Sequence, residues 1–168
     1  AGAIPDHINF DGTPIFYPGT YDPERQGGEP WGILPSLDDH FYFIEMAWEC
    51  VSATGDIDVL RRVVKGKELI QRLADAFAVP PRDSGSGLIR CTTENRGVSF
   101  GFTDTVVHTG ELLFCSLLAS RAARHLAKLY AALGTEAEAA EHSSLHDKLK
   151  GIIPQTFMCA DGYLKSST

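Results

Sequence analysis

The 168-residue sequence has no CxxC pair, no HExxH, no GK[ST] and no long apolar run. Without paired cysteines at ribbon spacing a structural zinc site has no ligand set. Without GK[ST] the Gly85-Ser86-Gly87 stretch is not a phosphate loop of the Walker type, and no apolar strand precedes it. The apolar runs are too short for a membrane-spanning helix. Basic charge is also scarce: the formal net charge is −7, and the arginines stand in separate pairs, Arg61 with Arg62 and Arg121 near Arg124. A nucleic-acid face needs clustered Lys and Arg, so that class of partner is not expected. No Ser-His-Asp order with a nucleophile elbow occurs. The first residues, Ala1-Gly2-Ala3-Ile4-Pro5, contain neither Met nor a basic, apolar leader, which fits a processed chain or a piece of a longer one.

What is present is a globular composition, 43% hydrophobic and 22% charged, of a length suited to one core. Cys50, Cys91, Cys115 and Cys159 lack short spacings. Cys50 and Cys115 fall in apolar helical runs and read as small core residues. A reducing, cytoplasmic compartment is the expectation, and the even count leaves disulfides open.

Residues 1–35 carry six prolines among Phe10, Phe16, Tyr17, Tyr21 and Trp31, which predicts an irregular arm packed on a surface, or the wall of a cleft. Ser36 with Asp39 predicts a helix start, and Leu37, Phe41, Ile44, Trp48 and Val51 form a stripe at helical spacing up to Thr54-Gly55. Asp56 caps the next expected helix, with Leu60, Val63, Val64, Ile70, Leu73 and Phe77 on one face to about residue 78. Residues 79–104 read as a long loop. A third helix is expected from about Thr105 to residue 133, and Gly134 stops it. Thr135 with Glu138 is a capping box for a fourth helix limited by Pro154, and Asp161-Gly162 is a turn. The whole predicts one all-α domain: an irregular arm at 1–35, a first helical hairpin at 36–78, the loop at 79–104, and a second hairpin with a tail at 105–168. No β-rich segment is expected. Leu112, Phe114, Leu117 and Leu118 are expected to lie partly open on the third helix.

Ser36 to Leu60, an acidic helix start and an aromatic helix followed by Thr54-Gly55-Asp56, resembles a hairpin of the six-hairpin glycosidases, the (α/α)6 barrels that include trehalases and related α-glucosidases. Phe102-Thr103-Asp104, then a Leu-rich helix ending Leu126-Ala127-Lys128-Leu129, then a Gly-linked helix with Ala139-Ala140, is similar to the segment after that family's catalytic acid. Phe157 through Asp161-Gly162-Tyr163-Leu164 resembles the turn into the next hairpin. Thr103, Phe102 and the Val106-Val107 pair differ from the trehalase form, in which the acid follows Gly-Trp and precedes Ser and Arg.

The resemblance implies an inverting glycoside hydrolase architecture, incomplete in this chain, with its base in a later part of the barrel. Asp104 is then the general acid, desolvated by Phe100 and Phe102; read alone it is a helix cap. Asp38 and Asp39 are candidates for binding sugar hydroxyls, or for capping the first helix. Trp31, Tyr21 and Phe102 would line the cleft, and Glu111 and His108 would face it. Glu45 and Glu49, one turn apart, read as a solvated face. His142 and His146 have chelating spacing but no third ligand, so neither a metal nor a cofactor is expected. The implied partners are a small saccharide or glycoside and either a second copy of the chain or the remainder of a barrel. A non-enzymatic scaffold or sugar-binding module, and a sugar isomerase with His40 and His108 as acid and base, are the other readings.

Overall fold

The computed structural model describes residues 2–5, 7–12, 14–15, 36–92 and 108–168. Most of them are helical. The helices are α1 (Asp39–Thr54), α2 (Leu69–Phe77), α3 (Leu113–Leu133) and α4 (Glu136–Phe157). Six two-residue strands pair antiparallel: β1 (His7–Ile8) with β2 (Pro14–Ile15), β3 (Val63–Val64) with β4 (Lys67–Glu68), and β5 (Arg90–Cys91) with β6 (Gly110–Glu111). One core joins all four helices, with Phe41, Leu73, Leu126 and Phe157 among its closed side chains. No helix among the described residues is long and apolar enough to cross a membrane.

Side-chain contacts fix the helix directions. Phe41, early in α1, packs edge-on against Phe77, the last residue of α2, so these helices run antiparallel. Ser120 meets His146 and Tyr130 meets His142, so α3 and α4 are antiparallel as well. Glu45 meets Arg121 and His125, while Trp48 meets His125 and Lys128. Partners advance together along both chains, so α1 and α3 run parallel.

Several local expectations are corrected. The expected helix over 56–78 is three elements. Asp56 does accept from Asp58 N at 3.1 Å, but it caps a short 3-10 turn, Ile57–Arg61. Val63 and Val64 then enter a hairpin whose turn has Lys65 at φ 50° and Gly66 at φ 79°. Two successive left-handed residues make the tight turn whose twist suits a two-residue hairpin. α2 begins only at Leu69, where the Gln71 side chain accepts from Glu68 N.

The third helix begins at Leu113 rather than near Thr105. Leu112 N donates to Ile89 O at 2.8 Å, and Leu113 N donates to Ser166 O at 3.0 Å. Residues 110–112 are thus held extended between β5 and the returning tail, and the tail supplies a partner for the Leu113 N–H, which the helix start leaves open.

At α4, Thr135 Oγ1 donates to Tyr130 O and makes no cap hydrogen bond. Glu136 and Glu138 in the first turn complement the helix dipole instead. α4 also continues through Pro154, because Leu149, Ile153 and Phe157 form one buried stripe across it. At α1, Asp38 occupies the cap position, and the buried Ser36 Oγ has no hydrogen-bond partner among the described residues. Gly134, at φ 79°, ends α3 as expected, with Thr135 N closing onto Tyr130 O.

The cysteines divide: Cys91 and Cys115 are buried, Cys50 and Cys159 exposed, and all four are free. Cys50 was expected in the core. It lies between Trp48 and Val51 of the packed stripe, on the outer face of α1. Of the four residues expected to lie partly open, Leu112 and Leu118 are buried, while Phe114 and Leu117 are 39% and 47% exposed.

Candidate functional site

Because α1 and α3 are parallel, their N-termini lie at one end of the molecule. Asp38 immediately precedes α1, and His108 and Glu111 lie just before α3. Two helix N-termini side by side favour anionic groups, since their dipoles point the same way.

Asp38 is buried, at 4% exposure, where carboxylates are seldom found. Its charge reaches two neighbours. The Cys115 thiol is pushed far up, first by burial and then by Asp38, so it is held protonated and unreactive. The Tyr42 phenol is also raised, first by desolvation and then by Asp38, with Arg121 opposing. Asp39 and His108 are half-buried. Glu111 is committed locally: Thr168 Oγ1 donates to its carboxylate, Glu111 N donates to Thr168 Oγ1 at 2.9 Å, and Thr168 N donates to Glu111 O at 3.1 Å. Glu111, expected to face a cleft, is thus bonded to the chain's own tail. Asp104, Phe102, Trp31 and Tyr21 lie outside the described residues.

His40, the second residue of α1, is closed from solvent. Its Nε2 accepts from Ile4 N at 3.2 Å, which fastens the N-terminal segment to the helix. An imidazole that accepts through Nε2 carries its proton on Nδ1. Burial lowers the His40 pKa to about 4, and the Ser36 backbone only partly opposes that shift.

A second polar cluster lies farther along the α1–α3 seam. Glu45 Oε2 is 2.9 Å from Arg121 Nε and 3.1 Å from His125 Nδ1, the latter without good hydrogen-bond direction. His125 stacks on Trp48 at 5.0 Å, and Lys128 Nζ lies 4.8 Å from the same indole ring. Burial lowers the His125 pKa, three neighbouring cations add to this, and Glu45 opposes it. Glu45 is thus bridged to α3 and does not belong to a solvated face. The signal was present in the sequence, where Arg121, Arg124, His125 and Lys128 recur at helical spacing. It becomes readable only once α1 and α3 are known to be parallel.

The remaining motifs are structural. Asp83 Oδ1 accepts from Gly85 N, Ser86 N and Ser86 Oγ, which makes the Ser-Gly-rich loop an Asp-centred turn and lowers that carboxyl. Arg82 stacks over Phe77 at 4.3 Å and donates to Phe77 O at 3.0 Å, joining the end of α2 to that loop. His142 Nδ1 faces its own helix carbonyl, Glu138 O, and His146 Nδ1 faces Ser120. The two imidazoles therefore serve different contacts. Among the described residues no three His, Cys, Asp or Glu side chains gather as a metal set.

No protein family and no curated protein matches this chain.

Proposed function

We propose that the chain is a carbohydrate-active helical unit, a slice of an (α/α)6 toroid of the six-hairpin glycosidase type, and that it takes small saccharides at the common N-terminal end of α1 and α3. One observation carries this reading: α1 and α3 run parallel, each with an antiparallel neighbour, and a buried carboxylate, Asp38, stands where both begin. Two side-by-side αα-hairpins of a toroid have this arrangement. The resemblance at Phe102-Thr103-Asp104 supplies the chemistry. Asp104 is the general acid that protonates the departing glycosidic oxygen, and Asp38 and Asp39 accept hydrogen bonds from sugar hydroxyls. Trp31, Tyr21 and Phe102 give the sugar ring apolar faces to rest on. Phe114 and Leu117, exposed on α3, are assigned to contact with a second copy or with the other helices of a barrel.

A binding module without hydrolysis is the second reading. The engagement of Glu111 with Thr168 favours it, because that carboxylate is then not available to activate water.

The purified chain is expected to bind small saccharides weakly and to hydrolyse an aryl glycoside slowly. No residue here is assigned as base, and an acid alone gives only part of the rate enhancement. Asp104→Asn should lower whatever turnover is measured. Rapid turnover that Asp104→Asn leaves unchanged would refute the assignment.

A further inference from the structure

A cleft of about 320 Å³ opens beside α1, lined by none of the residues assigned to saccharide. Residues 2–4, Phe43, Lys65, Lys67, Arg72 and Asp75 line it. It is the reverse of the chain's overall character. The protein carries net charge −7, yet this concavity has three cations and one carboxylate on its wall.

Contacts among the described residues leave that charge largely uncompensated. Lys67 Nζ lies 2.5 Å from Asp75 Oδ2, so one cation is matched. Arg72 directs Nε and Nη2 to the Val64 carbonyl, the Nε at 2.9 Å, which holds the guanidinium against the β3–β4 hairpin without neutralising it. The guanidinium's other N–H donors are not used by that carbonyl. Lys65 has no ion-pair partner among the described residues. Its backbone is held in a tight turn, left-handed at φ 50°. Phe43 adds an aromatic surface beside these donors. On the other side the N-terminal segment is fixed twice: Ile4 N is bonded to His40, and Gly2 packs so closely that a Cβ there would lie 2.5 Å from Asp75 O. The wall is therefore built from four separate parts of the chain.

We propose that this cleft binds a small organic oxyanion, a phosphate monoester or a carboxylate attached to a compact ring. The oxyanion meets Lys65 and the open edge of Arg72, and the ring rests on Phe43. Charge-assisted hydrogen bonds to an oxyanion are the strong kind, and Arg and Lys both supply them. The site uses no residue assigned to saccharide, so it stands or falls independently of that reading.

The test is an amide-shift titration of the intact chain with phenyl phosphate, benzoate and inorganic phosphate, with benzyl alcohol as the neutral control. Shifts should concentrate at residues 2–4, Phe43 and 65–67. Phenyl phosphate ahead of benzoate identifies a phosphate ester as the preferred class, and the reverse order identifies a carboxylate. Inorganic phosphate should bind more weakly than phenyl phosphate, since it leaves Phe43 uncovered. Lys65→Asp and Lys65→Asn are the informative variants. Asp and Asn before Gly suit this turn, so the hairpin is retained while the charge is reversed or removed. Lys65→Asp should weaken the better anion about ten-fold or more, the loss of one strong contact. Benzyl alcohol binding as well as the anions, shifts at another surface, no shift with any probe, or unchanged affinity in Lys65→Asp would each overturn the proposal.

Discussion

Acidification is expected to destabilise the fold through His40, by about 2–3 kcal/mol once the pH has fallen from above 6.5 to about 4. The direction follows from the protonation states. Folded His40 is neutral because its ring is closed from solvent and its Nε2 accepts from Ile4 N. Its folded pKa is about 4, below the ordinary 6.5. Above pH 6.5 neither state is protonated at this residue, and its contribution is fully present. As the pH falls below 6.5 the unfolded chain takes up the proton and the folded chain does not, so the unfolded state gains. The loss levels off once the pH passes below about 4. His125, lowered by burial as well, contributes with the same sign.

Urea unfolding followed across this range measures the slope. His40→Gln should lose stability at neutral pH and show a shallower pH dependence than the parent chain. Equal slopes in the two proteins would mean that His40 does not fasten the N-terminal segment as described.

Phe41→Ala is expected to cost about 3–5 kcal/mol, a large part of what a domain of this size has. Phe41 is 2% exposed and lies where α1, α2 and the Arg82 loop meet. Its ring packs edge-on against Phe77 with centroids 5.9 Å apart, and the Arg82 guanidinium lies over it, also at 5.9 Å. Removing the ring opens a cavity that α1 and α2 cannot close while α3 also holds α1 through Glu45 and Arg121. The neighbouring Tyr42 is 39% exposed and lies off the core, and Tyr42→Ala should cost less than about 1 kcal/mol. Chemical denaturation of both variants gives the comparison. Similar losses at the two positions would contradict the placement of the α1–α2 contact.

Much of this was readable in the chain. The stripe from Leu37 to Val51 and the glycine after Thr54 delimit α1 to within a few residues, because both signals are local. Gly134 marks the end of α3 for the same reason. The start of α3 was not readable. Residues 110–112 resemble the helix that follows, and what holds them extended is pairing with Ile89, Cys91 and the tail, all far away in sequence. The hairpin inside the expected second helix was missed because Val63 and Val64 fit the apolar face of a helix as well as a strand. The deciding signal, Lys65-Gly66, is a weaker turn pair than Asn-Gly.

Among the site residues, Asp38 and Asp39 were correctly seen at a helix start. The burial of Asp38 was not foreseeable, since it depends on where Cys115 arrives from α3. Glu45 was misread because spacing along one helix says nothing about the direction of the next.

The central claim is that saccharide is received where α1 and α3 begin, and amide-shift mapping with maltose and trehalose tests it most directly. The account predicts saturable shifts in the millimolar range at Asp38, Asp39, His40, His108 and Leu112, with the Lys65–Lys67 turn unaffected, and a clear weakening in Asp38→Asn. No shifts at any accessible concentration, or shifts confined to the outer faces of α2 and α4, would contradict it.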